Sequence, residues 1–269
     1  MRCVKPFLRW AGSKRQQLSH LSKYWNPDYE RYVEPFAGSA CLFFHIGPRT
    51  ALLSDKNADL IETLDAVRKS PERIYDAVTS IPRTQRRYYS ERSVSPTSLS
   101  KFDKAVRFIY LNRNCFNGIY RTNRKGQFNV PFADSRAGAF VTREEFLTAA
   151  SLLKGASLRA CDFGSTLKST REGDFVYLDP PYVVNSRRVF RQYDARPFDA
   201  KDLQRLGWHL DRLDERQVDF LVSFADCKES RELAKPWIWR RLRVRRNVAG
   251  FAGARKEVYE LLITNIELL

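Results

Sequence analysis

Short apolar runs that end on an acid or a glycine alternate with helical stretches along this chain, and that rhythm restricts it to strands and helices layered in an α/β domain. Strands are expected at 31–35, 50–54, 156–160, 174–178, 218–223, 237–244 and 257–264. Two helix starts are marked by local chemistry. Ser70 is a cap ahead of Pro71, a proline at the first helical position, and Thr142-Arg-Glu-Glu145 spells a capping box. The rhythm breaks over residues 57–142, where the periodicity is mostly helical and closes on NRNCFNGIYRTNRKGQFNVPF. There the Arg124-Lys-Gly126 turn between IYRT and FNV predicts a β-hairpin. Residues 1–56 and 143–269 are therefore expected to form the sheet domain, and residues 57–142 an inserted, mainly helical subdomain.

The chain has 269 residues, 43% of them hydrophobic, which is enough for a proper core. Its 47 Lys and Arg against 31 Asp and Glu leave a net charge of +16, so a polyanion is the natural partner. The excess is concentrated. Residues 83–125 carry Arg83, Arg86, Arg87, Arg92, Lys101, Lys104, Arg107, Arg113, Arg121, Arg124 and Lys125 against only Glu91 and Asp103, and KPWIWRRLRVRR at 235–246 has no acid at all. Such clustering favours nucleic-acid contact over a merely solvated face. No stretch approaches the roughly 18 apolar residues of a membrane helix, and MRCVKPFLRW has no apolar signal core, so the cytoplasm is the expected location. The five cysteines are odd in number, scattered and never spaced C-x-x-C, which suggests neither a disulfide framework nor a zinc site. His20, His45 and His209 fall in no catalytic pattern and read as structural or surface residues.

The segment DFVYLDPPYVV, residues 174–184, begins as a buried strand but ends on Asp179, Pro180, Pro181 and Tyr182. Prolines end strands because they lack the ladder N–H, which accounts for the prolines but not for the acid and the ring. The residue before a proline is kept out of the helical region, so Asp179 should be extended, with its carboxylate and the Pro180 carbonyl able to face one spot. Two fixed acceptors suit an exocyclic amino group. They bind its two N–H donors and favour a pyramidal, nucleophilic nitrogen, while Tyr182 offers a face on which a base can stack.

Two further stretches point to a ligand. YVEPFAGSACLFF, residues 32–44, reads as a strand, a turn around Gly38 and an apolar helix, a turn that allows close approach to backbone N–H groups. The G-x-G-x-x-G pyrophosphate pattern is absent, and an ordinary strand–helix turn is the alternative. The next strand, ALLSD, ends on Asp55, where α/β nucleotide folds place an acid to hold ribose hydroxyls. PFLRWAGSK ends Gly12-Ser13-Lys14 but lacks the rest of a phosphate loop, so Lys14 is better placed to neutralise a carboxylate than a triphosphate.

In this order PFLRWAGSK, YVEPFAGSA, SDKN, FNGIYRTNRKGQFNVPF and DPPY, followed by VRRNVAGFAGARKEVYELL at 244–262, resemble the DNA adenine methyltransferases of the Dam type over nearly the whole chain. The resemblance implies a Rossmann-like S-adenosylmethionine-dependent methyltransferase sheet with residues 57–142 as its target-recognition subdomain. It implies methyl transfer from S-adenosyl-L-methionine to the exocyclic N6 of adenine in double-stranded DNA, within GATC, after base flipping, with no metal and no obligate protein partner. It puts Trp10 and Lys14 on the methionine part of the cofactor, Asp55 on its ribose, and Asp162 and Phe163 on its adenine. Ala11, Gly12, Glu34, Phe36, Ala37, Gly38, Ser39 and Asp179 would complete the cofactor site. Asp179, Pro180 and Tyr182 would hold the target base as catalytic residues.

By the same resemblance Phe116, Asn117, Ile119 and Arg121 occupy the positions of a wedge and a guanine-reading arginine, and Arg9, Asn114, Asn129 and Pro131 join them at the DNA. Arg9 and Ile119 depart from the Lys and Leu usual in GATC-specific members. Arg suits both major-groove acceptors of guanine, whereas the plainer alternatives are a small local core for Phe116 and a phosphate contact for Arg121. A DNA-binding module without activity would share the basic insert but have no use for DPPY. An RNA or protein amino-methyltransferase would share DPPY but not the recognition segment.

Overall fold

In the computed structural model, which describes residues 4–123, 126–134, 138–181, 198–247 and 255–267, seven strands form one sheet in the order β3-β2-β1-β4-β5-β7-β6. They are β1 (Arg31–Glu34), β2 (Ala51–Asp55), β3 (Ala156–Ala160), β4 (Asp174–Leu178), β5 (Asp219–Ala225), β6 (Ile238–Asn247) and β7 (Arg255–Thr264). Every expected strand is present, with ends shifted by at most three residues. β1 to β5 run parallel, and β7 is antiparallel between β5 and β6.

The helices are α1 (Leu18–Leu21), α2 (Cys41–Ile46), α3 (Ala58–Lys69), α4 (Pro71–Ser80), α5 (Gln85–Ser93), α6 (Lys101–Asn114), α7 (Arg143–Leu152), α8 (Phe163–Lys168), α9 (Ala200–Glu215) and α10 (Lys228–Ala234). Successive strand side chains point to opposite faces, and each face has its own helical cover. Tyr32, Leu53, Phe175, Tyr177 and Leu221 pack with Phe43 of α2, Leu64 of α3, Ile74 of α4, Ile109 of α6 and Phe146 of α7. Val33, Leu52, Val176, Leu178 and Val222 pack on the other face with Leu167 of α8, Leu206 and Leu210 of α9 and Ala234 of α10. With both faces covered, the inner strands β1, β2, β4 and β5 are buried almost continuously, β4 at all five positions, whereas the edge strand β3 is mostly exposed.

The segment 57–142 begins within the sheet's own core, because Leu60, Leu64, Val67 and Ile74 share the first of these clusters. A separate cluster starts at α5 and joins Tyr88, Tyr110, Leu111, Cys115, Phe128 and Val130. The expected hairpin is antiparallel, with Thr122 bridged to Phe128 and Asn129 N–H donating to the Arg121 carbonyl at 3.1 Å. Arg124 and Lys125 of its turn lie outside the described residues. Local signals hold at α7, where the Thr142 hydroxyl accepts from Glu145 N–H and Glu145 returns the bond. Ser70 does cap α4 by position, but its side chain makes no capping bond. The residue is shared, closing α3 through its own N–H to the Ala66 carbonyl.

From β1 the chain runs outward through β2 to β3, then crosses back to β4 and continues outward through β5 on the other side. Between the carboxyl ends of β1 and β4 the connections diverge, which is where open α/β sheets bind ligands. Glu34 ends β1, Asp179 follows β4, and Asp55 ends the neighbouring β2.

The pairing of β1 with β4 is pinned at the opposite end. Arg31 Nε and Nη2 donate to the two oxygens of Asp174 at 3.0 and 2.6 Å, and Arg171 N–H adds a third bond at 2.9 Å. The Asp174 side chain is 0% exposed and that of Arg31 19%. Asp174→Ala should lower unfolding stability by roughly 3 kcal/mol, because it strands a mostly buried guanidinium. Urea denaturation showing a loss well under 1 kcal/mol would refute the pair as the anchor of β4.

Candidate active site

Asp179 follows the last residue of β4, and its Oδ1 accepts from Lys14 Nζ at 2.5 Å and from the Ser223 hydroxyl at 3.3 Å. Ser223 is itself within 2.9 Å of the Tyr177 hydroxyl, so β4 and β5 both fix this carboxylate. Its Oδ2 takes no hydrogen bond among the described residues and is the open acceptor of the site. Lys14 is buried, donates to the Gly12 carbonyl at 3.4 Å and lies 3.9 Å from Glu260, which Gln17 binds at 2.8 Å. Burial raises the Asp179 carboxyl above its ordinary value, and the Lys14 ammonium pulls it back down. Pro180 is buried beside it, while Tyr182 lies outside the described residues.

The Gly38 turn sits against Asp55. Gly38 N–H donates to one Asp55 oxygen at 3.0 Å and Asn57 N–H to the other at 2.9 Å. Gly38 has φ +49°, and a Cβ there would meet Trp10 Cδ1 at 2.8 Å, so the indole lies directly over the turn. Ala37 and Ser39 are buried in the same turn, Ala11 is half-buried and Gly12 exposed. Glu34, by contrast, is only 3% exposed and is bound by the Tyr32 hydroxyl at 3.0 Å, so it forms the floor of the site.

A third group closes the far side of β1. Asp162 caps α8 through Gly164 N–H at 2.9 Å, and the same oxygen accepts from Arg205 Nη2 at 2.5 Å. Phe163 stacks on Phe36 with centroids 5.2 Å apart, and the Arg205 guanidinium lies 4.7 Å from the centre of the Phe163 ring. The second Asp162 oxygen takes no hydrogen bond among the described residues, next to the two rings. Arg205 on α9 was not singled out in the sequence, and no local signal marks it; only the fold brings it to Asp162.

The recognition segment packs directly onto the N-terminal one. Arg9 N–H donates to the Asn112 side chain at 2.8 Å, and the Asn112 amide returns a bond to the Arg9 carbonyl at 2.7 Å. Asn117 and Gly118 both have positive φ, +55° and +64°, and a Cβ on Gly118 would lie 2.4 Å from Arg9 Cβ. Asn117 and Pro131 are exposed, Phe116, Ile119 and Asn129 half-buried, and Phe116 and Ile119 pack on the Tyr88 cluster. Arg121 is held by Asn129, to the side-chain oxygen at 2.7 Å and the carbonyl at 3.2 Å. Asn114 does not face outward. It is 3% exposed and spends its amide on Arg83 Nε and the Tyr110 carbonyl, so it braces the turn from within.

Among the described residues no group of His, Cys, Asp and Glu is placed to hold a metal ion, and no helix is long and apolar enough to cross a membrane. A family model described as D12 class N6 adenine-specific DNA methyltransferase matches residues 10–248. The chain is 30% identical to the type II methyltransferase M1.LlaDCHI of Lactococcus lactis subsp. cremoris, over 97% of this chain and 95% of that protein. It is 30% identical to a DNA adenine methylase of Escherichia coli, over 97% and 95% of the two chains. It is 32% identical to the type II methyltransferase M.CviBI of Paramecium bursaria Chlorella virus NC1A, over 76% and 77%.

The acids of the site act on one another, and Glu34 bears the consequence. Burial pushes its carboxyl well above the ordinary value, the Tyr32 hydrogen bond opposes this, and the nearby Asp179 and Asp55 charges push the same way as burial. The stability contributed by protonated Glu34 is full below its ordinary value of 4.5 and is lost as pH rises through the higher value it has in the fold. Glu34→Gln keeps an acceptor for Tyr32 but cannot ionise. Its stability relative to wild type should therefore improve between about pH 5 and about pH 8. Equal wild-type-to-mutant differences in urea midpoint at the two pH values would show that Glu34 is not held protonated.

Proposed function

Because the chain belongs to the D12 class of N6 adenine-specific DNA methyltransferases, we propose that it transfers a methyl group from S-adenosyl-L-methionine to an adenine within GATC, rotated out of the duplex. The observation that carries this reading is the split use of Asp179: Oδ1 is fixed by Lys14 and Ser223, and Oδ2 is left as an acceptor at the end of the central strand. A carboxylate so fixed, followed by a carbonyl on a proline, is a receptor for an amino group with two N–H donors.

The residues on the page fit the proposed methyl donor. The buried Lys14 ammonium supplies the positive charge that suits a ligand carboxylate, and the Asp55 carboxylate at the end of β2 supplies the kind of acceptor that suits a ribose diol. Asp162 and the Phe36–Phe163 pair offer an acceptor beside stacked rings, which suits an adenine. Bound there, S-adenosylmethionine would supply a methyl group already activated on a sulfonium. What the protein adds is alignment, together with a polar environment for the amine that needs no reorganisation. Asp179 Oδ2 and the Pro180 carbonyl would draw the two N–H bonds of the target amine and turn its lone pair outward. No base has to act before the attack. The flipped adenine costs a few kcal/mol of unstacking, which contacts from the basic segment must offset.

The assignment of residues 57–142 as the recognition part stands on the same reading. Its DNA-facing portion would be the second cluster, from α5 to the hairpin, where the exposed Asn117 and the Asn129-braced Arg121 stand together. The decisive assay offers duplex DNA, RNA and protein side by side with methyl-labelled cofactor. Label in duplex DNA alone, at adenine N6, is the expected result.

Asp179→Ala should reduce kcat at least about 100-fold, since it removes a fixed electrostatic partner of the reacting nitrogen. Cofactor and DNA affinities should stay within an order of magnitude, and near-normal turnover would sink the role of Asp179.

Arg121→Ala separates reading from attraction. If Arg121 meets a guanine edge, the loss should be about 1–3 kcal/mol, confined to the cognate site, with relaxed discrimination at one base pair. If it meets phosphate, every duplex should weaken alike and the salt slope should fall by about one unit. Methylation of duplexes substituted one position at a time, at several salt concentrations, decides between the two.

A further inference from the structure

We propose that Tyr120 is a positioning residue that couples the recognition turn to the cofactor side of the site, so that cognate DNA and methyl donor bind cooperatively. The proposal rests on the methyltransferase reading above and adds a partner-dependent step to it. Tyr120 stands between Ile119 and Arg121, yet its side chain points away from the hairpin surface and into the junction between the two cores. It packs against both the sheet cluster and the Tyr88 cluster.

Two branches leave this side chain, and both end at the Gly38 turn. Through its ring, Tyr120 stacks on Trp10 with centroids 5.9 Å apart and an interplanar angle of 15°, and Trp10 in turn covers Gly38. Through its hydroxyl, Tyr120 donates to Asp59 Oδ2 at 2.8 Å. Asp59 lies in the first turn of α3, whose cap Asn57 donates its N–H to Asp55, the residue that accepts from Gly38 N–H. The far side of the ring is backed by Phe108 and Phe128, with centroids at 5.2 and 5.8 Å, so it has little room to swing independently.

A tyrosine that only filled a core would need no partner for its hydroxyl on an exposed residue such as Asp59. Here any shift of residues 116–121 on meeting DNA is passed to Trp10 by contact and to Asp55 by a hydrogen-bonded route. Arg9, clamped to Asn112 and pressed against Gly118, moves with the same turn, and five residues later the segment reaches Lys14 and Asp179. By reciprocity, ordering of the Gly38 turn by cofactor favours the turn geometry that reads the cognate site.

Calorimetry would measure the affinity for S-adenosylmethionine alone, with a GATC duplex, and with a duplex whose guanine is replaced. The wild type should bind cofactor about fivefold or more tightly with the GATC duplex and not with the altered one. Tyr120→Leu, which removes ring and hydroxyl, should bring that ratio to about one while each ligand alone binds within about threefold of wild type. Tyr120→Phe and Asp59→Ala cut only the hydroxyl branch and should share one intermediate ratio. Should Tyr120→Leu not fold, Asp59→Ala at its exposed position decides alone. An unchanged ratio in the variants, no enhancement in the wild type, or an equal loss of each ligand alone in Tyr120→Leu would each overturn the coupling. A wild type that methylates no DNA would instead defeat the underlying function, so the two failures are distinguishable.

Discussion

A lysine ammonium with 3% of its residue exposed has to have a carboxylate, and the rest of the site is arranged around the one it finds. Lys14 lies on an N-terminal segment with no strand of its own, and its contact with Asp179 ties that segment to the end of β4. Once Lys14 is placed, Trp10 falls over the Gly38 turn and Arg9 against Gly118. The contact thus joins three parts distant in sequence: the N-terminal segment, the sheet's switch point and the recognition turn. Breaking it would take from a buried charge its nearer carboxylate, so the geometry is enforced by desolvation more than by the modest worth of an ion pair.

The electrostatics run against the overall balance of the chain. The protein carries +16, yet the carboxyl ends of β1, β2 and β4 present Glu34, Asp55 and Asp179, the last of them paired with the buried Lys14 ammonium. A polyanion is attracted by the outer charge and would be repelled by an open cluster of carboxylates. The site eases that conflict by raising the Glu34 carboxyl well above its ordinary value through burial and by pairing Asp179 with Lys14. What the site offers is a set of acceptors, and acceptors select N–H and O–H donors rather than phosphate. Base edges and ribose hydroxyls supply such donors, and a DNA backbone supplies none. The charge pattern therefore sets the basic balance of the chain apart from a site lined with acceptors.

Local features were legible in the sequence. Strands buried on both faces are apolar throughout, and the Thr142 box satisfies its own bonds within one turn, so neither depends on distant residues. Tertiary partners were not. Lys14 was matched to a ligand carboxylate by its chemistry, but nothing local shows that Asp179 is its partner across the fold. Arg205 is invisible for the same reason: an arginine on an amphipathic helix looks like solvated surface until α9 lies beside Asp162. Asn114 was grouped with residues facing DNA, but the packing of the turn consumes its amide from within. Ser70 shows the limit of cap motifs, because one residue closing α3 and opening α4 cannot orient its side chain for both.

The turn at residues 116–121 shows why the segment 57–142 and the N-terminal segment form one structure and not two tethered ones. Asn117 and Gly118 adopt left-handed conformations in succession, so the backbone folds back sharply after Phe116. At Gly118 this has no substitute. A side chain would need to overcome both the positive φ and a contact of 2.4 Å with Arg9 Cβ. The closeness leaves no gap for water or for slippage between the turn and the N-terminal segment. Rigid contact of this kind transmits displacement without requiring a moving hinge, since packed interiors yield little before they rearrange. A turn built loosely would recognise DNA as well and tell the site nothing. The glycine, by admitting its backbone against Arg9 Cβ, makes the position of residues 116–121 and the position of Trp10 and Lys14 a single geometric fact.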